Sequence, residues 1–448
     1  MLERFFKLSR RQTTPWREAQ AGLTTFAAMS YILAVNPTLL AAAGMDKAAL
    51  VTVTALAAAI GTALMAVLTN TPIALAPGMG LNAYFAFSVC LGMGVAWQSA
   101  LGLVFVNGII FMALSASGIR TKIVDAIPNQ LKVAITCGIG LFIAFLGLRS
   151  GGIIIGDPNT FVTLGDLGAP PALLVFSGII LTAVLITRQV PGAIILGILL
   201  VTVLGLIIPG LDGNKVTSLP ESLVSLPPSI AETAFKLDFE FLIHDFTKAL
   251  PIIVTLLFVD LFDTVGTLIG VCQRAGLLDR NGKLPKVGRA LMADSTATVV
   301  GALLGTSTTT SYIESAAGVE AGGRTGLTSL TTALCFLLAL FFTPVILAIP
   351  AQATAPALVI VGIFMMQSVV HLDLEDFGTM APAVLTIIVM PLAFSISAGI
   401  GIGMIAYSTI LLFSGRRKEL GLVTVVLAVL FLIHFCESLL INLFAALF

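Results

Sequence analysis

Apolar runs close to the length of a helical bilayer crossing, about 20 residues, recur along the whole chain, as at Leu56 to Leu68, Leu101 to Leu114, Leu173 to Ile186 and Leu330 to Leu347 with their flanks. In hydrocarbon every backbone polar group needs a partner inside the protein, so such a chain folds as a helix bundle or a closed barrel. Barrel strands alternate apolar and polar residues over about ten positions, and these runs do not alternate. Of the 448 residues 58% are hydrophobic and 10% charged, far from the roughly 25% charged residues of soluble domains. The expected class is an all-α polytopic membrane protein.

Several other classes fall away. A formal net charge of zero gives no sign of a nucleic-acid partner. The cysteines (Cys90, Cys137, Cys272, Cys335, Cys436) are odd in number, scatter through apolar runs and read as small buried hydrophobes. No CxxC or Cys/His spacing suggests a metal, and no cofactor is expected. GxSxG, HExxH and GK[ST] are missing. Asp260 and Asp263 share one helix and cannot converge as an aspartyl dyad, so no enzymatic activity is expected. The opening MLERFFKLSRRQTTPWREAQ is basic and amphipathic, without the apolar core and cleavage site of a signal peptide. It is expected on the cytoplasmic surface of the cell's inner membrane.

The spans read as 18–40, 51–69, 73–91, 97–117, 131–150, 172–187 and 190–208, then 247–271, 289–304, 308–322, 326–346, 353–370, 382–394 and 396–413. That is seven plus seven. With the N-terminus (1–17) inside, Arg120, Lys122, Arg188, Arg274, Arg280, Lys283, Lys286, Arg289, Arg324 and Arg416 to Lys418 fall on the cytoplasmic side, as the positive-inside rule asks. Residues 209–246, the one long polar stretch, are the external link between a first repeat (18–208) and a second (247–413). The tail 414–448 adds a basic loop and an apolar run with His434 and Glu437, which is interfacial or a fifteenth crossing.

Two spans are interrupted at matching places. APGMGLNAYFAF (Ala76 to Phe87) and GTSTTTSYIESAAG (Gly305 to Gly318) each pass from a Gly/Pro/Thr-rich extended segment into a helix. Paired interrupted spans point to a transporter's binding site near the membrane midplane. Ionisable side chains inside a span cost about 2.5 to 3.5 kcal/mol on insertion scales and are functional candidates by default. Asp263 sits beside Thr264, Gly266 and Thr267, where a solute can approach; Asp260, three residues earlier, is a weaker candidate. Asp294, among Ser295, Thr296 and Thr298, suits hydrogen bonding to a neighbouring helix. Glu314 falls in the first turn of the second half-helix, as a site carboxylate or as a cap. Asn82 holds the corresponding place in the first half, as a solute ligand or as a partner for broken backbone. With the aromatics Tyr84, Phe85, Phe262 and Tyr312, these residues suit a flat neutral heterocycle that presents N–H donors. The broken spans hold no Arg or Lys, which opposes an anionic solute; Arg324 marks the membrane boundary, paired with Glu320.

The strings GLTTFAAMSYILAVNP (Gly22 to Pro37), APGMGLNAYFAF, LFDTVGTLIG (Leu261 to Gly270) and TSYIESAAGVEAGGRTGLT (Thr310 to Thr328) resemble the AzgA-like purine permeases of the nucleobase and ascorbate transporter superfamily, over essentially the whole chain. The resemblance implies fourteen spans in two inverted repeats, with a core (18–117 and 247–346) and a gate (131–208 and 353–413). It implies proton-coupled uptake of adenine, guanine or hypoxanthine, and a homodimer joined through gate domains. The family's purine ligands fall on Asn82, Asp263 and Glu314, with Phe262, Tyr312 and Thr267 around them. Thr267 stands where related uracil permeases carry a His, so proton coupling would rest on Glu314 and Asp263. The alternatives are a carrier of the same architecture for uracil, xanthine or an inorganic anion, and an uncoupled purine facilitator.

Overall fold

The computed structural model describes residues 2–117, 128–210, 213–220, 222–277 and 287–436, without the side chains of residues 2, 4, 262 and 269. The expected loop residues Arg120, Lys122, Arg280, Lys283 and Lys286, and Glu437, lie outside this set. Among the described residues ten helices are long and apolar enough to cross a membrane. In chain order they are Pro15–Ala41 (span 1), Lys47–Thr69 (2), Trp97–Ser117 (4), Asn129–Ser150 (5), Pro170–Thr187 (6), Phe246–Arg274 (8), Val287–Leu304 (9), Gly326–Leu347 (11), Ala351–His371 (12) and Ile396–Phe413 (14). Shorter apolar helices, Ala193–Gly205 and Phe377–Leu392, supply spans 7 and 13. Spans 3 and 10 are the interrupted ones, so the architecture is the expected seven plus seven.

Each interruption has a sequence cause. In span 3, strand β1 (Leu75–Pro77) leads through Gly78 into Met79–Ala83 and a π-helical turn, Tyr84–Gly92. Pro77 has no N–H to donate and suits the last position of a short strand. In span 10, the β-branched run Thr308 to Thr310 favours extended backbone, and β4 (Thr309–Ser311) leads into the half-helix Ser315–Glu320. Between them in sequence, Ile154–Asp157 and Phe161–Leu164 form an exposed hairpin after span 5, β2 and β3. β1 and β4 pair antiparallel, Leu75 opposite Ser311, Ala76 opposite Thr310 and Pro77 opposite Thr309. The ladder is prolonged by Gly78 N donating to Thr308 O (2.9 Å) and Tyr312 N to Ala74 O (2.9 Å). Gly78 is required there, because a Cβ would lie 2.6 Å from the Thr310 methyl.

Around this crossing the helices pack in two sets. Spans 1, 2 and 4 lie against spans 9, 10 and 11, and span 5 lies against spans 12 and 13, with span 6 on span 12 and span 13 on span 14. Gly318 lets the span 10 half-helix touch span 1, where a Cβ would meet Thr25 Oγ1 at 2.0 Å. At the even-span ends Asp376 caps span 13 through Gly378 N (3.1 Å), and the Arg416 guanidinium donating to it (2.7 and 2.8 Å) holds its carboxyl below the usual range.

Two expectations change, and the tail helix left open by the sequence is described to Phe435. Span 1 starts at Pro15 and changes helix at Ser30–Tyr31, between Pro15–Met29 and Ile32–Ala41. Glu320 pairs with Arg274 (2.8 Å), not Arg324, whose guanidinium donates to the carbonyls of Val319 and Gly323. The tail helix Leu422–Phe435 packs its Phe431 and Phe435 rings against Gly401 of span 14. At 14 residues it is about 21 Å long against a hydrocarbon core of about 30 Å.

Glu18, at the first turn of span 1, is fully buried. Its carboxylate accepts from Arg324 N (2.9 Å), Thr325 N (3.1 Å), Thr325 Oγ1 (2.8 Å) and Thr328 Oγ1 (2.6 Å). These donors are the start of span 11, whose first N–H groups have no partner in their own helix. Asn70, ending span 2 in the left-handed region (φ 57), accepts from Gly326 N (2.8 Å) beside them. A carboxylate matches both the orphan donors and the helix dipole. Glu18→Ala is expected to cost about 2–4 kcal/mol and Glu18→Gln less, in the order wild type, Gln, Ala, read by thermal unfolding of the purified protein.

Candidate functional site

The two half-helices, Met79–Ala83 and Ser315–Glu320, start just after the paired strands β1 and β4, so the pairing brings their N-terminal ends close together. Such ends carry partial positive charge. Against them lies a cavity of ≈ 1020 Å³ lined by Tyr31 of span 1, Gly78 to Leu81 of span 3, Asp263 and Thr267 of span 8, Tyr312 and Glu314 of span 10 and Phe364 of span 12. It extends to Gln189, Arg274, Glu320 and Gln367. All four are at ends of even-numbered spans, so the cavity reaches the face that holds the N-terminus. Toward the opposite face lies a cluster of aromatic rings. Phe394, between spans 13 and 14, packs edge-on against Phe87 (5.9 Å), Phe142 (5.4 Å) and Phe145 (6.2 Å), and Arg149 lies 5.0 Å over its ring.

Two half-buried acids from different spans, Asp263 and Glu314, therefore face one cavity. Glu314 stands at the N-cap of its half-helix but makes no capping bond with its side chain; it accepts a 2.5 Å hydrogen bond from the Tyr31 hydroxyl. Tyr312 donates to Pro77 O (2.6 Å) and ties the two strands together at the cavity wall. Of the aromatics named from sequence, Tyr312 lines the cavity, while Tyr84 and Phe85 are buried in the core and are not among the lining residues. The Phe262 side chain lies outside the described residues.

Asn82 is placed differently from Asp263 and Glu314. Fully buried, it is not part of the cavity lining. Its Nδ2 donates to Asn36 Oδ1 (2.5 Å) and its Oδ1 accepts from the Ser307 hydroxyl. Asn36 Nδ2 donates in turn to Thr54 Oγ1 (2.7 Å) and Thr306 Oγ1 (3.3 Å). One amide chain thus joins spans 1, 2 and 3 to the segment before β4. Asp260 and Asp294 lie behind Asp263: Thr264 Oγ1 is 2.9 and 3.0 Å from the Asp294 oxygens, 3.4 Å from Asp260 Oδ1 and 2.9 Å from Thr310 Oγ1. Tyr31, Asn36 and Phe364 were missed from sequence. The cost of polar groups in hydrocarbon, applied to Asn and Tyr as well as to charges, flags the first two.

If the amide chain positions the strands, Asn36→Ala and Asn82→Ala should each destabilise by about 1–3 kcal/mol and weaken transport alike, with the double variant little worse than either. A double-mutant cycle on thermal stability and uptake checks this; an uptake loss confined to Asn82→Ala would place that amide on the solute.

Comparison with known proteins agrees with this architecture. Residues 17–402 match the Xan_ur_permease family, a permease family. The chain is 45% identical to the guanine/hypoxanthine permease PbuG of Bacillus subtilis (strain 168), over 97% of this chain and 99% of that one. It is 40% identical to the adenine permease AdeP of Escherichia coli (strain K12), over 97% and 95%. The transmembrane domain of the cyanobacterial bicarbonate transporter BicA shares the fold, with a TM-score of 0.61 and 16% identity over 87% of this chain and 98% of that domain. Two broken spans crossing at a cavity lined by two acids, and a family match over most of the length, lead to one conclusion: the chain belongs to the Xan_ur_permease family of membrane permeases, in its AzgA-like branch.

Proposed function

We propose that the chain is a proton-coupled carrier of purine nucleobases that works by alternating access in the cell membrane, with its N-terminus in the cytoplasm. The observation that carries this is the facing pair Asp263 and Glu314 in a cavity also lined by Tyr31, Tyr312 and Phe364. Two carboxylates accept the ring and exocyclic N–H groups of a neutral base, and aromatic rings cover its faces. The same pair opposes an anion: it offsets the positive half-helix ends, and the one cation in the described lining, Arg274, is paired with Glu320. The names of PbuG and AdeP support the purine class.

A proton entering with the base lowers the charge that the low-dielectric cavity must hold. One charge crossing 100 mV supplies about 2.3 kcal/mol, roughly a fifty-fold concentration ratio. In this reading the proton is carried by the pair Asp263 and Glu314 and is not assigned to one of them. In this reading the structure faces the cytoplasm, and Phe394 seals the outer side until spans 1–4 and 8–11 move against spans 5–7 and 12–14.

Proteoliposomes with an inward proton gradient should accumulate labelled adenine, guanine or hypoxanthine, and a protonophore should abolish the accumulation. Glu314→Gln and Asp263→Asn should each reduce it by about a hundredfold or more, the scale of losing a charged hydrogen bond. Protonophore-indifferent exchange would leave a facilitator; uptake of uracil, xanthine or bicarbonate instead would overturn the purine reading. The seal is tested separately in a cysteine-free background that transports. A membrane-impermeant maleimide added outside should label Ser88→Cys slowly, and about tenfold faster once Phe394→Ala is added, as expected for a ~1.4 kcal/mol shift between gate states. Equal rates would exclude Phe394 as the seal.

A further inference from the structure

The geometry points to Tyr31 as a positioning residue that sets how Glu314 meets the solute and over what pH range it does so; this rests on the purine-carrier reading above. Tyr31 sits where span 1 passes from Pro15–Met29 to Ile32–Ala41, so its ring projects from a helix discontinuity. It is 1% exposed, lines the cavity, and its hydroxyl lies 2.5 Å from Glu314 Oε1. The bond joins residues 283 apart in sequence, one from each repeat. Because Glu314 makes no side-chain cap to its own half-helix, Tyr31 is the side chain that fixes the direction of its carboxylate.

Two consequences follow from chemistry. A phenol hydroxyl that occupies Oε1 leaves Glu314 to accept a base N–H through its other oxygen, so the acid offers one aimed acceptor instead of a freely rotating pair. A hydrogen bond to an ionised acceptor is also stronger than one to a neutral acid, so Tyr31 favours the ionised carboxylate. The groups facing Glu314 are few. Tyr31 comes from span 1, Tyr312 from its own segment and Asp263 from span 8, with Asp294 of span 9 behind Thr264; Arg274 and Glu320 pair with each other farther along the cavity. Among the described lining residues there is no Lys or His to supply the donor that Tyr31 supplies.

The test is calorimetric binding of hypoxanthine, guanine and adenine from acid to alkaline pH by wild type, Tyr31→Phe, Glu314→Gln and the double variant. Tyr31→Phe should weaken binding by about tenfold and move its pH dependence to higher pH by on the order of one unit. In the Glu314→Gln background the same change should leave the pH dependence where it was. A Tyr31→Phe profile that overlays wild type, or an equal shift in both backgrounds, overturns the proposal. Wild type that binds no purine at any pH removes the carrier reading, and this proposal with it. Should Tyr31→Phe fold poorly, Tyr31→Trp replaces it in the same cycle. The infrared carboxyl band lost in Glu314→Gln should then shift in Tyr31→Trp; an unmoved band would equally overturn the assignment.

Discussion

The pairing of two three-residue strands, Leu75–Pro77 with Thr309–Ser311, is the constraint from which the rest of the molecule follows. Extended backbone in the middle of a membrane protein carries N–H and C=O groups that lipid cannot satisfy, and it survives only where protein meets those needs. Each broken span supplies what the other lacks. With the strands joined, the half-helices behind them are held with their N-terminal ends close together, and the cavity forms in front of them. Tyr312, reaching from the second strand to Pro77 O, fastens the crossing at the wall of the cavity.

The surrounding polar groups divide by role. Asn36, Asn82, Ser307, Thr54 and Thr306 satisfy one another behind the crossing, and Glu18 satisfies the start of span 11 at the membrane edge. Asp263 and Glu314, by contrast, line open volume. In the proposed reading the half-buried acids beside open volume take the ligand, whereas the saturated amides hold geometry. The bicarbonate transporter domain shares the fold at 16% identity, so fold alone does not choose the solute. In the proposed reading the side chains that line the cavity, Glu314 at a half-helix end and Asp263 of span 8 among them, choose it.

Much of this is legible in the chain. Apolar length fixes the spans, and residues 97–117 and 396–413 match their helices end for end. Gly, Pro and Thr mark the two breaks because their backbone preferences are local. What sequence does not carry is direction around a helix axis and contact across the repeats. Asn82 lies at the right depth, but its amide turns to Asn36, 46 residues away. Tyr84 and Phe85 lie on the same turns and face the core. Glu18 meets its donors more than 300 residues along the chain, and Arg274, at the end of another span, takes the Glu320 that proximity assigns to Arg324. Long-range partners decide each of these cases.

The most direct test is an experimental structure with hypoxanthine bound. The account predicts a planar ring in the cavity with hydrogen bonds to both Asp263 and Glu314, an aromatic face from Tyr312 or Phe364, and Asn82 still bonded to Asn36. A base held by the Asn82 amide, or seated away from the two carboxylates, would contradict it.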